Sequence, residues 1–188
     1  MYKNAQNSDY YVLEWREEAG YNSDKNKNLL HSLRKNRFAE RVALLDKELK
    51  NMGLSITKLC ERFPEKAKLL FNKILSFHEI RYNVTGKHLM YLSYQSFLHI
   101  YLRHVKELTV ENQFSERGKF QLEEKDVLTT MDIVLQALND EYQSYKEQNP
   151  SNRFFRKGAM AYYYNGDYYD IDILPDGQIG TFYKRTEK

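Results

Sequence analysis

Two turn signals late in the chain, Asn165-Gly166 and Pro175-Asp176-Gly177, constrain what this sequence can fold into more than any other feature. Asn-Gly tolerates the positive φ of a tight hairpin, and Pro-Asp-Gly supplies a slightly longer reversal. The segments around them are short and rich in tyrosine and isoleucine. Phe154–Lys157, Ala159–Tyr164, Tyr168–Leu174 and Ile179–Tyr183 read as strands, with Gly158 separating the first two. In the third, Tyr169, Ile171 and Ile173 point to one side and Tyr168, Asp170 and Asp172 to the other. The spacing therefore predicts a meander of three or four antiparallel strands with one apolar face that a second layer must cover.

Helices upstream supply that layer. Residues 1–26 mix aromatic and polar types, and only Tyr10–Trp15 reads as a short element. From Lys27 to Met52, Phe38, Val42, Leu45, Leu49 and Met52 recur at helical spacing, with Gly53 as the stop. A second helix, Ile56–Phe77, is capped by Ser55 and broken at Phe63-Pro64. At Ile80 the period changes to two, so residues 80–85 read as a strand entering the turn Thr85-Gly86-Lys87. Leu92–Leu108 holds the next helix, capped by Ser93, with Tyr94, Leu98, Tyr101, Val105 and Leu108 as its apolar stripe. A polar connection, 109–119, leads to a last helix, Glu123–Lys146, that buries Val127, Met131, Val134, Leu138 and Tyr145. The fold class expected is α+β: N-terminal helices, then two helices packed on a three- to four-stranded antiparallel β-meander. The expected division is a helical region over 1–78 and an α+β domain over 79–188.

Charge is uneven along the chain. Residues 1–78 hold 15 Lys and Arg against 10 Asp and Glu, a net of +5, and 79–188 hold 14 against 16, a net of −2. Arg34, Lys35, Arg37 and Arg41 make one basic helix face, either a solvated surface or a contact for a polyanion. The single cysteine, Cys60, allows no intrachain disulfide, which fits a reducing compartment. No apolar run is long enough to span a bilayer, and the first residues lack the pattern of a signal peptide. A cytoplasmic protein without membrane contacts is expected.

Chemistry concentrates in the helix over 92–108, which carries His99, Arg103 and His104. His99 and Arg103, four residues apart, share one border of the apolar stripe. His104 lies about 140° around the helix from His99, so one substrate atom is not expected to meet both rings, and a half-buried packing role suits His104. Asp170 and Asp172 read as a solvent face. His31, His78, His88 and Cys60 are scattered, no zinc-ligand spacing occurs, and no cofactor is expected. Tyr162, Tyr163, Tyr164, Tyr168 and Tyr169 offer rings for a stacking platform, about half of which the covering helices would bury.

The order of strand, helix with His and Arg, second helix and meander ending in Gly180-Thr181-Phe182-Tyr183-Lys184 resembles the nuclease superfamily of barnase, EndoU, colicin-type and RelE-like toxins, above all its phage- and toxin-associated branch. The matching residues are the HxxxRH segment at His99, Arg103 and His104, and the hydroxyl residues Thr181 and Tyr183. The resemblance covers 79–188. It implies metal-independent RNA cleavage by 2′-hydroxyl attack, with His99 as acid or base, Arg103 as phosphate clamp, Thr181 and Tyr183 as positioning donors, and His104 beside them. It also implies RNA as partner, with Lys87, Lys184, Arg34, Arg37 and Arg41 as backbone contacts, and an inhibitor, antitoxin or phage structural protein as a further partner. The protein would then be phage-associated or delivered into a host cytoplasm, its N-terminal helices serving delivery, dimerisation or docking. The carboxylates Asp170 and Asp172 count against RNA unless they face away from it. A non-catalytic phage or mobile-element protein, or an adaptor that binds a protein through its tyrosine-rich sheet, stands as the alternative.

Overall fold

A computed structural model describes residues 2–82, 85–105 and 124–185, leaving aside the side chains of 2–9, 74–75 and 124–126. Leu108, the connection over 109–119 and the end of the strand expected over 80–85 lie outside the described residues. Among the described residues no helix is long and apolar enough to cross a membrane. Internal contacts divide the chain into two compact units, Met1–Leu44 and Leu45–Lys188, whereas composition suggests a boundary at 78.

The first unit is a helical pair. Helix α1, Tyr2–Glu18, is far longer than the short element the sequence suggests. It turns at Gly20, whose φ of 75° closes the helix end, into α2, Asp24–Asn51. Tyr10, Leu13 and Leu30 form the small core, with Leu33 against it. Part of the basic face of α2 is engaged in this packing, while Lys35 stays exposed. Arg34 pairs with Glu14 at 3.6 Å and Glu17 at 4.0 Å. Arg37 lies 4.3 Å from the Tyr10 ring centroid and donates to the Tyr11 hydroxyl, and Arg41 is buried. Phe38, assigned to the buried stripe by spacing, is instead exposed, while Leu45, Leu49 and Met52 farther along the helix are buried.

The second unit begins with the last turns of α2, which stop at Gly53 (φ 75°), where the Leu54 N–H reaches back to the Leu49 carbonyl at 2.9 Å. Helix α3, Ile56–Arg62, is capped by Ser55, whose hydroxyl accepts from the Lys58 N–H at 3.2 Å. Pro64 then opens α4, Pro64–Ser76, because its missing N–H costs nothing in a first turn. Strand β1, Ile80–Tyr82, pairs antiparallel with β2, Met90–Leu92. Helix α5, Tyr94–His104, starts at the expected cap, Ser93. Its buried arc is wider than one stripe: Phe97, Leu98, Ile100, Tyr101 and Leu102 are all enclosed, and the Phe77 ring packs at a tilt against Phe97.

The helix expected over 123–146 is two, α6, Glu124–Ala137, and α7, Asn139–Gln148. The break at Leu138 resets the phase, so Tyr142 and Lys146 face inward and Tyr145 moves to the border. Lys146 is only 2% exposed, and its ammonium donates to the carbonyls of Pro150 (2.5 Å), Asn152 (3.2 Å) and Pro175 (2.9 Å). One buried cation thus fastens to α7 two loops, over 150–152 and at 175, that lie at the same end of the sheet.

The sheet contains β3, Phe154–Arg156, β4, Tyr162–Tyr164, β5, Asp167–Ile173, and β6, Ile179–Arg185. All pairings are antiparallel and all involve β5. β3 and β4 share one edge of β5 as two halves of an interrupted strand. Arg156 opposes Ile171 and Tyr162 opposes Tyr169, so residues 157–161, including a 3-10 turn at Gly158–Met160, bulge out opposite Asp170 alone. β6 runs along the other edge, where Tyr91 of β2 adds a parallel bridge to Gln178. The apolar face carries Tyr169, Ile171, Ile173, Phe154 and Phe182, all buried, and α7 covers it through Tyr142 and Tyr145, whose rings meet Phe154 edge-on. Each of these buried side chains stabilises the unit by about 1.5–3 kcal/mol. The opposite face carries the chemistry.

Candidate functional site

Register assembles the polar face in three rungs. Phe155 of β3 opposes Asp172 of β5, which opposes Thr181 of β6. Two residues on, Asp170 opposes Tyr183. At the hairpin end Tyr163 of β4 opposes Tyr168, which opposes Arg185. Directly opposed residues share a face, so these side chains form one surface.

Alternation alone reads the carboxylates as a solvent face, yet Asp170 is 2% exposed and Asp172 is also buried. The bulge explains this, since it folds over the middle of the strand and brings its own donors. Asp170 accepts from the Gly158 N–H at 3.2 Å, receives the Tyr183 hydroxyl, and lies 3.6 Å from Arg185. Asp172 is held by Lys157 at 3.0 Å and Arg153 at 3.1 Å, while its Oδ1 has no hydrogen-bond partner among the described residues. Three cations therefore surround two carboxylates, and the face is not the anionic surface that the bare pair of aspartates suggests.

Helix α5 adds its histidines beside β6. His104 stacks on Tyr183, ring centroids 4.9 Å apart and planes 17° apart. The His99 ring lies 6.1 Å from that of His104. The two rings end near each other although their backbone directions differ by about 140°, because those directions do not fix where two flexible side chains end. Burial, with the charges of Arg103 and Lys157 adding to it, lowers the His99 pKa from 6.5 to about 4, so this ring is neutral at physiological pH. Tyr183 moves the other way. Burial, its hydrogen bond to Asp170 and the charge of that carboxylate raise its hydroxyl to about 12, which keeps it protonated.

The other sequence-derived candidates are spread more widely. Arg103 reaches Glu48 of α2 at 3.5 Å, a partly buried pair that ties α2 to α5. Thr181 is buried in the strand beside Asp172. Lys184 sits on the opposite face and pairs with Asp167 at 2.8 Å. Lys87 is exposed in the loop before β2, 4.0 Å from Glu147. Arg34, Arg37 and Arg41 belong to the first unit. Sequence reasoning missed Lys157 and Arg185 as site residues, and only their places beside Gly158 and at the end of β6 hinted at them. Among the described residues no group of three His, Cys, Asp or Glu side chains is placed to hold a metal ion. No protein-family model matches the sequence, and neither a curated protein nor a solved structure matches it.

Proposed function

We propose that the unit Leu45–Lys188 is an endoribonuclease that cleaves by attack of a 2′-hydroxyl on the adjacent phosphate, without a metal ion. The observation that carries this reading is the pairing of two imidazoles over a cationic sheet face: His99 and His104 lie 6.1 Å apart, with Tyr183 stacked under one and the charge of Lys157 acting on the other. Such a reaction needs one group to take a proton, one to give a proton and a cation for the phosphorane. Neutral His99 accepts the 2′-hydroxyl proton as the 2′-oxygen bonds to phosphorus. His104 delivers a proton to the leaving 5′-oxygen as its bond to phosphorus breaks. The products are a 2′,3′-cyclic phosphate and a free 5′-hydroxyl. Lys157, whose charge acts on His99, takes the cationic role assigned to Arg103 by sequence, and it exchanges Asp172 for the phosphate as substrate binds. Tyr183, committed to Asp170, orients the His104 ring instead of donating to substrate.

The test is RNA incubated in EDTA with wild type and with His99→Ala, His104→Ala and Arg103→Ala variants. Cleavage lost in both histidine variants and kept in Arg103→Ala supports these assignments. No cleavage by wild type, or equal cleavage by all four, refutes them. A second reading, a non-catalytic binding module, draws on Asp172, which already occupies Lys157 and Arg153. It predicts a bound partner and no cleavage product.

A further inference from the structure

The polar sheet face extends beyond the histidines in both directions, and each end shows an aromatic ring to solvent. Tyr163 is 58% exposed and Phe155 is 51% exposed, although both belong to strands whose other aromatic residues are at least half covered. Both lie on the face that α7 leaves open: Phe155 opposes Asp172, and Tyr163 opposes Tyr168 with ring centroids 5.0 Å apart. Four residue steps along β5 separate the two rungs, a distance of about 13 Å; Lys157 and Tyr183 lie between them, and the side chains of Arg153 and Arg185 reach Asp172 and Asp170 from the two ends.

We infer that this face is a binding track for single-stranded RNA, in which Tyr163 and Phe155 each stack a base along the edge formed by β3 and β4, across β5 from the histidine centre, and the cations on the face follow the backbone. The inference rests on the ribonuclease reading and adds where the strand runs. A flat exposed ring with a cation nearby is suited to a base of any identity, since every base presents a π-face, and a track of this kind binds with little sequence preference. The charge balance fits a polyanion, as three cations on the face meet two buried carboxylates. Tyr168 backs Tyr163 on the same face, their rings tilted by 53°.

The experiment uses the full chain and a fluorescently labelled 2′-deoxy oligonucleotide, which lacks the attacking hydroxyl and reports binding alone by anisotropy. Tyr163→Ala and Phe155→Ala are each expected to weaken binding by about ten-fold, whereas Tyr163→Phe retains the wild-type affinity. The salt dependence of the Ala variants should stay that of wild type, because no phosphate contact is removed, whereas Arg185→Ala should flatten it. Circular dichroism and thermal unfolding verify that these exposed positions leave the fold intact. If wild type binds and cleaves RNA but both Ala variants bind within about two-fold of it, the track is wrong and the ribonuclease reading survives. If wild type binds no oligonucleotide and cleaves no RNA, both fall, and the exposed rings belong to a protein contact.

Discussion

His99 offers the most direct physical test of the site, because its titration ties the fold to pH whatever the substrate. Its pKa falls from 6.5 in the unfolded chain to about 4 in the folded protein, with burial as the main cause. The unfolded state therefore binds more protons between those values, so the stabilisation linked to neutral His99 is complete above 6.5 and is lost as pH falls toward 4. From pH 7 to pH 5 the full linkage amounts to about 2 kcal/mol. The ring keeps some contact with water, so screening reduces the expected loss to about 1 kcal/mol. The perturbation is His99→Gln, which keeps a polar side chain of similar reach and removes the titration. Urea unfolding of wild type and variant at both pH values gives four free energies, and the other histidines cancel in the difference of differences. Wild type should lose about 1 kcal/mol more than the variant on acidification. Equal losses would show that His99 is not held neutral, and the base assigned in the cleavage scheme would fall with it.

Four further outcomes follow from the geometry. If His99 is the base, the acid limb of kcat/KM should lie near pH 4 to 5, well below the ordinary histidine value, as a pH-rate profile in EDTA would show. Gly177→Ala should lower stability by about 2 kcal/mol or more in urea unfolding, because Gly177 has φ 91° and an added Cβ would lie 2.0 Å from the Leu89 carbonyl oxygen. Lys146→Met should cost about 3 kcal/mol, since three carbonyls lose one shared donor, and hydrogen exchange should rise first at 151–152 and 176–178, in the loops that hold those carbonyls. Arg103→Ala and Glu48→Ala should each destabilise by about 1 kcal/mol, and the double variant by less than their sum, in a double-mutant cycle of thermal unfolding.

Much of this architecture is legible in the sequence where one residue type has a single physical use. Asn165 with φ 48° and Gly166 with φ 90° make the tight turn their sequence announces, Ser55 and Ser93 cap the helices they precede, and Pro64 starts α4. The misses share a cause: the deciding interaction is not local. α1 has no sustained apolar stripe, and its helix is supported by a few contacts to α2 around Tyr10 and Leu13. β2 is three residues long and merges with the apolar start of α5, so only its partner Ile80–Tyr82 reveals it. At Leu138 neither Pro nor Gly marks the break, and the continued apolar period hides the change of phase. Alternation puts Asp170 and Asp172 on the correct face, but their burial depends on a bulge between two other strands that supplies donors to them. The same holds for the site: His99 and His104 are visible as chemistry-bearing residues, whereas their convergence near Tyr183 belongs to tertiary structure.

Strand β5 also acts as a register checksum for the whole sheet. Three partner strands read their alignment from its seven residues, and its faces differ as sharply as side chains can, Ile171 and Ile173 on one and Asp170 and Asp172 on the other. A slip by a single residue would send two carboxylates into the core and two isoleucines into water. Stranded from Lys157, Arg153, Arg185 and Tyr183, each buried carboxylate would then cost several kcal/mol, enough to eject a misaligned sheet before it settles. The aspartates that shape the polar face are therefore also an error signal during folding, and replacing them with asparagine would leave the sheet easier to misalign.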